Sequence, residues 1–125
     1  MTDTPVPAST HVTITVDGTV LTGTLTDSAP SRALVEQLPL TLSFSDFGGQ
    51  EKTAPLPVPL PLDGVPSGSD AEPLTIGYYV PDQVLVLFYE RVGYFTGIVR
   101  LGALDAGADI EAFESDFSAT LDLAG

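Results

Sequence analysis

The stretch HVTITVDGTVLTGTLT, His11 to Thr26, decides the fold. Apolar residues and threonines alternate through both halves, the period of a strand with one face buried and the other in water. Asp17 and Gly18 stand between the halves, and Asp-Gly is among the strongest hairpin signals because both central positions of such a turn need positive φ. A two-residue loop sets Ile14 opposite Leu21 and Thr13 opposite Thr22, which sorts apolar and polar partners onto separate faces. The chain therefore begins its fold as an antiparallel hairpin, preceded by the Pro-bearing segment 1–9, read as a flexible N-terminal tail. Residues 10–125 are read as a single domain.

Outward from the hairpin, DSAPSRALVEQLP carries Ser and Pro start signals, an apolar face of Leu34, Val35 and Leu38, and Pro39 as a stop. Arg32 and Glu36 stand at the helical i,i+4 spacing of an ion pair. A short amphipathic helix is predicted there. LPLTLSF then returns to period two, with Leu40, Leu42 and Phe44 on one side.

SFSDFGGQEKTAPLPVPLPL, Ser43 to Leu62, follows. In a strand, Pro55, Pro57, Pro59 and Pro61 would all delete donors on one edge, while Leu56, Val58, Leu60 and Leu62 keep theirs on the other. The residues before proline are also biased toward extended backbone. The run is accordingly read as a one-sided edge strand with its aliphatic side chains packed inward. Gly64 to Pro73 has the composition of a polar surface loop.

LTIGYYV and QVLVLFY, joined at Pro81-Asp82, are two more strands, the second apolar on both faces. GYFTGIVRLGAL reads as another strand, DAGADIEAFES as a loop with one helical turn, and FSATLDL as a last alternating strand. Strands at this density, with two short helices unable to cover a whole sheet, predict a mainly β protein: a closed or nearly closed barrel plugged at its ends.

Composition narrows the function. With 17 Asp and Glu against 4 Lys and Arg, the formal net charge is −13, a field that repels phosphate backbones and anionic headgroups, so neither nucleic acid nor a membrane surface is expected as a partner. There is no cysteine, which removes disulfides, thiolate nucleophiles and sulfur-ligated zinc. The N-terminus has no secretory pattern and no apolar run reaches bilayer length, giving the expectation of a soluble, cytoplasmic protein.

The runs LPLTLSFSDFGGQEKTAPLP and LVLFYERVGYFTGIVRLG, with the short helix before the first and the late RLG, resemble the bacterial cyclophilin-like family of small β-barrel proteins, from about His11 to Leu123. The resemblance implies a cyclophilin-like barrel. Cyclophilins themselves isomerise prolyl bonds with an Arg beside an apolar pocket, where a fixed cationic donor can hydrogen-bond the amide nitrogen as resonance is lost. Their Phe-His-Arg start and Gln-Gly-Gly-Asp end are absent here, so no catalytic residue carries over. If the chain is an isomerase, Arg100 is the candidate, with Arg91 in a turn and Arg32 on the helix less suited.

The lone His11 has no strained Ser turn to serve, which argues against a hydrolytic triad. Asp105, Asp109 and Glu111, or Asp63 and Asp70, are carboxylate clusters without the EF-hand pattern, and no metal or other cofactor is expected. The loop SDFGGQEK remains, near the aromatics Tyr78, Tyr79, Phe88, Tyr89, Tyr94 and Phe95. Gly48-Gly49 suits a turn, Asp46 an Asx-type turn former and Phe47 a core plug. The same loop can form one wall of a cleft with an apolar floor and a few polar contacts. The candidate ligand-binding residues are Asp46, Phe47, Gly48, Gly49, Glu51, Lys52, Tyr79, Tyr89, Tyr94 and Arg100. The reading is a barrel that binds a peptide or small ligand; a weak peptidyl-prolyl isomerase and a structural or assembly module are the alternatives.

Overall fold

A computed structural model of the chain describes residues 9–110, 113 and 116–124. The opening hairpin forms as the sequence dictates. β1 (Ser9–Val16) and β2 (Thr19–Thr26) pair with Ile14 opposite Leu21 and Thr13 opposite Thr22. Asp17 and Gly18 take φ of 46° and 83° at the turn. Val12, Ile14 and Val16 are buried and the threonines between them are not, so the alternation is the wall of a core. The tail read over residues 1–9 lies outside the described residues as far as residue 8, and Ser9 opens β1.

α1 (Ala29–Gln37) starts at Ser28, whose hydroxyl accepts from the Ser31 backbone N–H at 3.3 Å, with Pro30 in the first turn. Leu34 enters the core, and the buried Ser31 hydroxyl donates to the Leu101 carbonyl at 2.9 Å, pinning the helix to the barrel. The Arg32–Glu36 pair does not form. Arg32 reaches Asp27 instead, at 2.7 Å, because Asp27 lies just before the cap and brings its carboxylate to the first turn. A second helical element among the described residues is a 3-10 turn at Val80–Asp82; within DAGADIEAFES, residues 111, 112, 114 and 115 lie outside the described residues, and the Phe113 N–H donates to the Ile110 carbonyl at 3.1 Å.

The remaining strands are β3 (Leu40–Phe47), β4 (Glu51–Pro55), β5 (Gly68–Ala71), β6 (Thr75–Tyr79), β7 (Val84–Phe88), β8 (Val92–Thr96), β9 (Ile98–Leu104) and β10 (Asp116–Leu123). Of the ten strands among the described residues, eight close an antiparallel barrel in the order β1-β10-β3-β4-β7-β6-β9-β2, while β5 and β8 form a separate two-stranded ribbon. No helix among the described residues is long and apolar enough to cross a membrane.

Closure corrects the proline run. β4 already pairs with β3 on one side and β7 on the other, so the barrel has no edge for an edge strand to occupy. β4 ends at Pro55, and residues 56–62 leave the sheet as a strap. The donors that the prolines spare are still used: the Leu56 N–H donates to the Gln83 carbonyl at 2.9 Å and the Leu60 N–H to the Tyr78 hydroxyl at 3.3 Å. Leu56 and Leu60 join the core, whereas Val58 and Leu62 are 51% and 42% exposed, so the inward period is four rather than two.

Two further readings change for one reason. The segment Gly64–Pro73 contains β5, and GYFTGIVRLGAL splits into β8 and β9 at Gly97, where φ is +99°. Only β9 stays in the barrel; β8 turns out to pair with β5. The ribbon covers β7, whose Leu85 and Leu87 face the barrel core while Val86 and Phe88 pack outward with Ala71 and Ile98. This second, external core is why β7 is apolar on both faces.

A candidate cleft on the outer wall of the barrel

The loop SDFGGQEK is the β3–β4 turn, and strand alternation divides its side chains between the two sides of the wall. Asp46 lies opposite Lys52 in the ladder and Phe47 opposite Glu51. Lys52 shares the inward face with Ala54, a core residue. Glu51 and Thr53 point outward with Phe88 and Val86, their partners across to β7.

On the inner side, Asp46, Lys52 and Tyr89 converge. The Lys52 ammonium, only 4% exposed, lies 3.1 Å from Asp46 Oδ1, donates to the Phe113 carbonyl at 3.4 Å and sits 5.5 Å from the Tyr89 ring centroid. The Tyr89 hydroxyl donates to Asp46 Oδ1, and the Gly49 N–H donates to Asp46 Oδ2 at 3.1 Å. The Tyr89 hydrogen bond, with that from Lys52, holds the Asp46 carboxyl below its ordinary range. A buried ammonium needs such partners, and this set also fixes the turn. Gly48 and Gly49 serve it with φ of 63° and 70°.

On the outer side lies a cleft of about 250 Å³. Its floor is Val84, Phe88 and Ile98; Phe47, Gln50, Glu51 and Thr53 form one wall, and Tyr79, Asp82, Val92 and Phe95 the other. A Cβ at Gly77 would stand 2.8 Å from the Phe88 ring, so the glycine in β6 leaves the room that ring occupies. Tyr79 and Phe95 stack at a tilt of 44° with centroids 5.9 Å apart. Phe47 is not a core plug: it is 63% exposed at the rim, and Phe95 is 53% exposed. Burial, followed by the nearby Asp46 charge, pushes the Glu51 carboxyl up.

Of the residues singled out in the sequence, the cleft therefore gathers Phe47, Glu51, Tyr79, Phe88 and Phe95. Asp46, Lys52 and Tyr89 belong to the inner cluster. Tyr94 is 65% exposed outside the cleft. Arg100 is half exposed on β9, with Asp70 at 3.7 Å; Arg91 approaches the same carboxylate at 3.5 Å. His11 is exposed beside Thr24, and Asp105 accepts from the Thr22 hydroxyl. No group of three or more His, Asp or Glu among the described residues could hold a metal ion, and Glu111 lies outside them. Sequence reasoning missed Gln50, Thr53, Asp82, Val84, Val92 and Ile98. The alternation of Glu51 and Thr53 was the available signal for one wall, whereas the other wall depends on the ribbon.

A curated-protein comparison gives no match. Among solved structures, the solution structure of the hypothetical protein AF2241 from Archaeoglobus fulgidus is similar, with a TM-score of 0.68 over 94% of this chain and 96% of that one. At 13% identity that likeness concerns the fold alone. The family model described as the Cyclophilin-like family matches residues 14–122, from the first hairpin to the last strand of the closed barrel, and the chain belongs to that family.

Proposed function

We propose that the protein is a binding barrel whose outer cleft holds a small ligand, or one side chain of a peptide, without chemically transforming it. The observation that carries this reading is an apolar floor left open between two exposed aromatic side chains, Phe47 and Phe95. Ligand sites combine such a surface with a few polar groups, and 250 Å³ lies just under the roughly 300 Å³ at which typical pockets begin. One ring or one side chain fills it.

The isomerase alternative draws less support. It needs a fixed donor over the pocket, yet Arg100 is directed to Asp70 and no Lys, Arg or His lies among the described residues lining the cleft. The test is exchange spectroscopy on X-Pro peptides alongside peptide-induced shifts in the protein's amide spectrum. The binding reading expects shifts confined to residues such as Glu51, Thr53 and Phe95 with no acceleration of exchange. Acceleration lost in Arg100→Ala would replace it with the isomerase, and no shift from peptides or from a small-molecule screen would remove it.

A further inference from the structure

The charge of the cleft selects among occupants. Its carboxylates are Glu51, beside Phe88 at one end of β7, and Asp82, in the turn before Val84 at the other end, and they meet no cationic side chain among the described lining residues. The chain's net charge of −13 adds a field of the same sign. Around these acids stand the rings of Phe47, Tyr79 and Phe95, whose π faces carry partial negative charge and attract cations. An anion would meet two carboxylates with no opposing charge. A neutral apolar molecule would cover the floor but desolvate Glu51 further. A cation on an apolar stem satisfies both the floor and the rim.

We propose, building on the reading of the cleft as a ligand site, that it selects organic cations: an ammonium or guanidinium on an apolar stem, drawn by the acids Glu51 and Asp82 at the two ends of the cleft, with Phe47 and Phe95 flanking the stem. Two sources offer that chemistry, a free amine and a Lys or Arg side chain in a peptide. Burial and the Asp46 charge already disfavour ionised Glu51, and a neighbouring cation offsets both.

The test compares three probes of one stem and different charge, 2-phenylethylamine, 2-phenylethanol and phenylacetate, with a blocked Ala-Ala-Arg-Ala peptide and its Gln counterpart. Affinities are read by amide shifts of the intact protein at constant ionic strength. The amine is expected to bind about tenfold more tightly than the alcohol, a factor equivalent to about 1.4 kcal/mol, with the carboxylate weakest. Glu51→Gln and Asp82→Asn should each shrink the amine-to-alcohol ratio while leaving alcohol binding in place, and either variant suffices if the other fails to fold. A stronger response to the Arg peptide than to both the amine and the Gln peptide identifies a peptide as the source; the reverse order identifies a free amine. Equal binding of amine and alcohol overturns cation selection but leaves a ligand site. Silence from every probe at millimolar concentration overturns both.

Discussion

Glu51 and Lys52 are adjacent in sequence and opposite in circumstance. The folded chain holds the Glu51 proton more tightly than the unfolded chain, so its contribution to stability is fully present below the unfolded pKa and is lost as pH rises through the folded one. Glu51→Gln removes that slope: its melting temperature should gain on that of the wild type as pH goes from about 4 to about 7, the span above an ordinary Glu pKa. Equal differences at both ends would mean that burial does not act on this carboxyl. Asp46 has the opposite sign. Its lowered pKa contributes stability above the unfolded value, lost as pH falls through the folded one, so Asp46→Asn should flatten the acid limb of a stability profile. Lys52→Met should lower the melting temperature by several degrees, because it strips a partner from Asp46 and the Phe113 carbonyl. The double variant Asp46→Asn/Lys52→Met should lose less than the sum of its parts, since the two side chains touch. Additive losses would deny their coupling.

Among the elements, the strap and the ribbon are where sequence patterns stopped being sufficient. Period two was legible wherever a strand has one wet face, and the Asp17-Gly18 register followed from turn chemistry alone. The proline run has the same period in its letters, yet its backbone had no neighbour left to pair with once β4 was enclosed, and only Leu56 and Leu60 turn inward. Leu60→Ala should therefore cost about 2–5 kcal/mol in denaturant unfolding, whereas Val58→Ala should stay within about 0.5 kcal/mol. Similar costs would restore the picture of every aliphatic residue packed inward. β5 was illegible because GSDA has neither alternation nor β-branched residues; its strand state is imposed by β8 and by Ala71 packing against the outer core. The candidate site inherited the same limit. Its first wall, on β4, could be read, but its second needed the ribbon, and a sequence does not announce which strand leaves a barrel.

At the scale of the whole molecule, β1 and β10, near the two ends of the chain, pair through Val12–Leu123 and Ile14–Leu121, so the barrel exists only once its most distant segments have met. Such non-local pairing delays the return on loop-closure entropy and predicts folding on the millisecond-to-second scale rather than in microseconds. It also predicts a division in hydrogen exchange. Amides in β1 and β10 should exchange as slowly as those in the central β7, because a closed ladder has no terminal strand to fray, while the β5–β8 ribbon should open first. Early exchange in β1 would show that the seam opens independently. The arrangement also explains why fold was easier to read than function: the alternation in β1, β2, β3 and β10 agrees on a barrel, whereas the cleft depends on how a few outward-facing side chains meet across segments far apart in sequence.

The wall between the Lys52 cluster and the cleft is a single strand thick, and the Asp46 charge already reaches Glu51 across it. A sheet of peptide is a poor insulator. If a cation occupies the cleft as proposed, its charge should register inside, with Tyr89 and Lys52 as its reporters. On that proposal the nitrogen resonance of the single lysine, read in nitrogen-15-enriched protein, is a built-in voltmeter for cleft occupancy, with no competing ammonium side chain to confuse its reading.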